Sequence, residues 1–250
     1  MSFKKSEMKL MESPSPNQTN WDHETTQYES IFHEMMVHVP LFLHPNPKSV
    51  LLIGNGSESA VREILRHTNV EKCILVETNE ARIHQTVSVL QSPRLKTFVE
   101  EGSEWVKLKS LNAKFDVIWV NSNPTSELSK PLFETEFYAD LKKILSPDGI
   151  MISQGGSPFY AEKTQETLAK NLKNHFKRVH FYNFSSPTEP GGLCSFSFAS
   201  DSVHPLDDFS RTRVVTSGFD FDYYNIEIHE AAFFLPEFQK KRLFAHSNPL

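Results

Sequence analysis

Apolar residues first recur at helical spacing from Gln27 onward. Tyr28, Ile31, Phe32, Met35, Met36 and Val39 share one face, which predicts an amphipathic helix ending before Pro40. The stretch His44-Pro45-Asn46-Pro47 is a turn. Short apolar runs then alternate with amphipathic segments. Strands are predicted over 49–54, 72–77, 95–99, 115–120, 150–153, 178–184 and 194–199. Helices are predicted over 59–67, 80–90, 101–110, 133–145 and 161–176, the fourth stopped by Pro147-Asp148-Gly149. Residues 1–26 are polar, carry Pro14 and Pro16 and show no period, which reads as a flexible tail ahead of one domain over 27–250.

Repeated strand–helix units of about 25 residues predict a doubly wound, Rossmann-like α/β sheet. No helix separates the last two strands, so they should pair as an antiparallel hairpin at one edge. Seven strands with that ending are the methyltransferase variety of the fold rather than the nicotinamide dehydrogenase variety.

Composition narrows the function classes. The chain has 250 residues, 38% of them hydrophobic and 23% charged, enough for a sizeable core. Its formal net charge of −5 argues against nucleic acid as a partner and tolerates a cationic one. No apolar run approaches the ~20 residues of a membrane span. The N-terminus lacks the apolar stretch of a secretion signal, so a cytoplasmic protein is expected. Cys73 and Cys194 lie in strand-like runs and read as buried, reduced thiols. The eleven histidines are scattered without metal-site spacing, so no metal is expected.

In such a sheet, ligands sit beyond the C-terminal ends of the strands. After the first strand come Gly54-Asn55-Gly56-Ser57-Glu58-Ser59, whose glycines allow a tight turn and close approach of a ligand; a strand–helix turn that merely needs glycine is the bland alternative. Glu77 ends the second strand and can accept both hydroxyls of a ribose. No arginine stands where a 2′-phosphate would want one. Glu100-Glu101-Gly102-Ser103 follows the third strand; a carboxylate there can take an adenine amine, or equally open a helix. Asn121-Ser122-Asn123-Pro124 follows the fourth strand, the usual place for chemistry, and carries no titratable group. Trp105 and Trp119 read as core aromatics, Tyr223-Tyr224 and Phe233-Phe234 as packing for the C-terminal segment, and Lys240-Lys241-Arg242 as a solvated helix end.

Several segments in order, namely Phe32-His33-Glu34-Met35-Met36-Val37-His38-Val39-Pro40, Val50-Leu51-Leu52-Ile53-Gly54, Phe115-Asp116-Val117-Ile118, Gln154-Gly155, Pro187-Thr188 with Pro190, Tyr223-Tyr224-Asn225 and Leu235-Pro236-Glu237-Phe238, closely resemble the spermidine synthase (polyamine aminopropyltransferase) family from about Gln27 to the C-terminus. The resemblance implies transfer of an aminopropyl group from decarboxylated S-adenosylmethionine, a co-substrate rather than a resident cofactor, to putrescine or a related amine. It implies a nucleoside site at Gly54, Gly56, Ser57, Glu77, Glu101 and Gly102. It further implies an amine site at His33 and Glu189, and a homodimer. His38 reads as a packing or surface residue.

The departures fall at the chemistry. The family's Gly-Gly-Gly-Asp-Gly-Gly turn has Ser57 in place of its acid. Its Asp-Ser-Ser-Asp-Pro loop is shortened, with Asn121 and Asn123 at the catalytic acid positions. Glu189 replaces a tyrosine, and the N-terminal hairpin domain is missing or reduced to the 26-residue tail. Three readings follow: an aminopropyltransferase with rearranged acids, in which Glu58, Glu127 or Glu189 restores negative charge; an inactive relative that binds a nucleoside or regulates; and an S-adenosylmethionine-dependent methyltransferase.

Overall fold

The computed structural model describes residues 21–55, 57–109, 113–122, 132 and 134–244. Seven strands, β1 (Ser49–Ile53), β2 (Lys72–Glu77), β3 (Leu95–Val99), β4 (Phe115–Val120), β5 (Leu145–Gly156), β6 (Arg178–Ser185) and β7 (Leu193–Ser200), form one sheet in the order β3-β2-β1-β4-β5-β7-β6. The first five are mutually parallel where they pair, and β7 runs antiparallel to both β5 and β6. The expected edge hairpin is therefore present. β5 starts earlier than its apolar core at 150–153, because Leu145 already pairs with Phe115.

Helices α1 (Trp21–Leu43), α2 (Glu58–Arg66) and α3 (Glu80–Leu90) cover one face of the sheet. Helices α4 (Gly102–Lys109), α5 (Thr135–Ile144) and α6 (Glu162–Lys173) cover the other. The pleat divides the cores: Val50 and Leu52 point to the α1 side, Leu51 and Ile53 to the α5 side. Burial pushes the Cys73 and Cys194 thiols up to about 12, so both are inert hydrophobes.

Helix α1 corrects the expectation at both ends. It starts at Trp21, inside the stretch expected to be a tail, and continues through Pro40 to Leu43. Pro40 has no N–H to give the Met36 carbonyl one turn back. The indole Nε1 of Trp119 donates to that carbonyl instead, at 2.8 Å. A core tryptophan thereby lets the helix pass the proline. Arg213 closes the far end, donating to the carbonyls of Leu41, Phe42 and His44.

Among the described residues beyond β7 lie three short helices that the periodicity did not reveal: α7 (Arg211–Thr216), α8 (Ile226–Ala232) and α9 (Glu237–Phe244). The segment between α7 and α8 is clasped to α1 by Glu34, which is 3% exposed and accepts the main-chain N–H groups of Asp222, Tyr223 and Tyr224 at 2.7–2.9 Å. Tyr224 is buried as expected, but Phe234 is 69% exposed, so the pair at 233–234 is not wholly a packing element. Arg242 is not solvated either. It donates to Pro158 O and Gln165 Oε1 and pairs with Glu162, fixing α9 to α6.

Candidate functional site

The strand order places β1 between β2 and β4, so the connections leaving β1 and β4 diverge and open a crevice at the sheet's C-terminal edge. Gly54 turns there with φ +72°, and a Cβ on it would stand 3.1 Å from the Asn121 carbonyl oxygen. Asn55 follows at φ +28°. Its carbonyl accepts the Asn121 side-chain amide at 3.0 Å, so the loops after β1 and β4 are joined by Asn121. Asn121 is 2% exposed and its Oδ1 has no partner among the described residues. Gly56, Asn123 and Glu127 lie outside the described residues.

Ser57 caps α2, its Oγ accepting from Ala60 N at 3.2 Å. Across the crevice, Glu77 is 5% exposed. One carboxylate oxygen accepts from Asn79 N at 2.9 Å and from the Thr78 hydroxyl; the other, Oε2, is buried and unpartnered among the described residues. No arginine is expected at this edge from chain spacing, yet Arg82, one turn into α3, stands 3.9 Å from Glu77 Oε2 and donates to Asn55 Oδ1 at 2.5 Å. It ties the turns after β1 and β2 together. The Asn79 cap fixes the start of α3 and so brings Arg82 to this edge, a geometry that chain spacing alone does not display.

Glu101 opens a helix, one of its two expected roles. Its Oε2 accepts from Glu104 N and the Ser103 hydroxyl and opens α4; its Oε1 is buried without a partner among the described residues. Gly102 packs directly over the end of β1, where a Cβ would collide with Ile53 Cγ2.

An open cavity of about 640 Å³ lies beside this edge. Tyr28, Glu29 and His33 of α1 form one wall, and Ser57, Glu58 and Arg82 another; Gln154, Thr188 and Glu189 contribute from the β5 end and the β6–β7 turn. Of the site residues singled out in the sequence, the cavity thus gathers His33, Ser57, Glu58 and Glu189. Gly54, Glu77, Glu101, Gly102 and Asn121 stand along the neighbouring strand ends rather than in its described wall. His33 is 5% exposed, and its Nε2 lies 2.8 Å from Ser57 Oγ. Burial lowers its pKa to about 4, so the ring is neutral near pH 7. His38 is a buried packing residue that bridges His67 and Glu63, at 2.9 Å each.

The amide at position 121 has a structural consequence. An aspartate there has no N–H to offer the Asn55 carbonyl, and two acceptors would face each other. We expect Asn121→Asp to lower stability by about 1–3 kcal/mol at neutral pH without raising turnover. Thermal melts beside an activity assay check this; a gain in activity at unchanged stability would refute it.

Comparison with known proteins agrees with this geometry. The spermine/spermidine synthase domain matches residues 29–209. The polyamine aminopropyltransferase of Thermotoga petrophila is 36% identical over 227 residues, covering 88% of this chain and 76% of that protein. The crystal structure of a spermidine synthase in complex with the transition-state analogue AdoDATO superposes with a TM-score of 0.81 at 36% identity, over 87% of this chain and 76% of that one. Human methyltransferase-like protein 13 in complex with SAH, at 18% identity and a TM-score of 0.57 over 82% of this chain and 93% of that one, shares the fold alone. With the sheet order, the crevice and these matches in agreement, the chain belongs to the spermine/spermidine synthase family.

Proposed function

We propose that this protein is a polyamine aminopropyltransferase that moves the aminopropyl group of decarboxylated S-adenosylmethionine to putrescine or a related amine and releases methylthioadenosine. The observation that carries the reading is the pairing of two features at one sheet edge. One is a buried carboxylate, Glu77, whose Oε2 accepts no hydrogen bond among the described residues and is suited to a ribose; the other is a cavity walled by Glu29, Glu58 and Glu189, suited to a cation. Glu58 is ion-paired with Arg62, so Glu29 and Glu189 supply most of the uncompensated charge. The amine nitrogen forms a bond to the carbon beside the sulfonium, and the carbon–sulfur pair leaves on sulfur as a neutral thioether. The reaction needs no redox partner, and decarboxylated S-adenosylmethionine is consumed rather than retained.

Cytoplasmic residence and a homodimer go with this reading. The buried thiols suit a reducing compartment, and exposed Phe159, Tyr160 and Phe238 offer an apolar face to a second copy.

The test is methylthioadenosine release from decarboxylated S-adenosylmethionine and putrescine, followed by chromatography. Release above a blank is expected. Methylthioadenosine binding without turnover would make the chain an inactive relative, and tighter binding of S-adenosylmethionine than of its decarboxylated form would favour methyl transfer.

A further inference from the structure

We propose that Ser57 and His33 together take the proton from the attacking amine, the hydroxyl passing it inward to the ring. The inference rests on the aminopropyl-transfer reading and names a part that reading leaves open. At the end of β4 the described residues, Asn121 and Ser122, offer no group that accepts a proton near pH 7. An alkylammonium has a pKa of about 10, so most of the bound amine must lose a proton before its lone pair can attack.

The geometry supplies the direction of transfer. Ser57 Oγ accepts the Ala60 N–H and lies 2.8 Å from His33 Nε2, so its hydroxyl hydrogen can be donated to the ring. In the tautomer that this transfer requires, Nε2 carries the lone pair of the neutral ring. Both side chains belong to the cavity wall, and Ser57 is the more accessible of the two. The ammonium gives its proton to Ser57 Oγ as the Ser57 hydrogen moves to His33 Nε2. The freed amine then forms the new carbon–nitrogen bond while the carbon–sulfur bond breaks. The product amine stays protonated, and the one proton released overall leaves His33 for solvent through the open cavity.

Burial opposes a charged ring, and the Glu29 backbone and the Glu63 carboxylate on α2 favour it. Glu29 on its own helix, Glu58 on α2, Glu189 from the β6–β7 turn and Arg82 on α3 are the other charged groups of the cavity. With a pKa of about 4, His33 has the proton affinity of an ordinary carboxylate without its charge. The amine site thus keeps a base while losing an anion.

The experiment is the pH dependence of kcat for the full chain with decarboxylated S-adenosylmethionine and putrescine, in the parent, His33→Gln, Ser57→Ala and Glu189→Gln. The parent should be nearly flat from pH 6 to 9. His33→Gln should lose about 10²- to 10⁴-fold at pH 7. Its rate should then climb about tenfold per pH unit, as the free-amine fraction grows toward the alkylamine pKa of about 10. Ser57→Ala should show the same slope with a smaller deficit, and Glu189→Gln should raise KM for the amine on a flat profile. Imidazole should partly rescue His33→Ala. A deficit constant with pH would reduce the pair to a structural role and overturn the inference. So would a parent-like profile in both variants, or a slope confined to Glu189→Gln. Absence of turnover in the parent would instead remove the aminopropyl-transfer reading and the inference with it.

Discussion

Replacing Glu77 by glutamine is expected to weaken methylthioadenosine binding by about 10- to 100-fold while leaving the fold intact. The variant keeps the volume and one carbonyl oxygen, so the contact with Asn79 N survives. It loses the charge and turns the unpartnered Oε2 into a donor. A ribose brings two hydroxyls to be accepted, and hydrogen bonds to an ionised group contribute about 1.5–3 kcal/mol each, against 1.4 kcal/mol per tenfold in affinity. The amide would also stop attracting Arg82, which is 3.9 Å away, so that side chain would be freer to swing across the edge. Titration calorimetry of both proteins decides the matter. Equal affinities would place the sugar elsewhere.

The second large effect concerns stability. Glu34→Ala is expected to cost about 3–5 kcal/mol, because three main-chain N–H groups, that of Tyr224 buried, lose one buried ionised acceptor. Glu34→Gln should also cost, since its amide nitrogen would face an N–H. Urea midpoints measured for the parent and both variants test this; a change below about 1 kcal/mol would show that water replaces the carboxylate without penalty. His33 is the next residue on α1, so the alanine variant should lose activity before it loses global structure. Loosening residues 222–224 frees the helix that carries the ring.

Much of the fold was legible because its signals are local. Each strand is an apolar run bounded by polar or turn residues, and α3 covers the expected 80–90. The glycine turn, Glu77 and Glu101 were legible as strand-end residues for the same reason. What was not legible depends on long-range partners. Pro40 reads as a stop until Trp119 is seen to replace its missing bond. Helices α7, α8 and α9 have six to eight residues each, too short to display a period, and are fixed by contacts such as Arg213 to the end of α1. The role of Arg82 was missed because it joins two turns that meet only in the folded sheet. The bond between His33 and Ser57 spans 24 positions and needs both α1 and the α2 cap in place.

The clasp at Glu34 spans 188 to 190 positions along the chain. During synthesis Glu34 and the apolar stripe of Met35, Met36 and Val39 beside it leave the ribosome long before residues 222–224 exist to close the clasp. Contacts so distant in sequence form late, and until then that stripe is exposed to other chains. The nascent protein should therefore engage holding chaperones through its earliest helix, and release from them should coincide with emergence of the C-terminal segment.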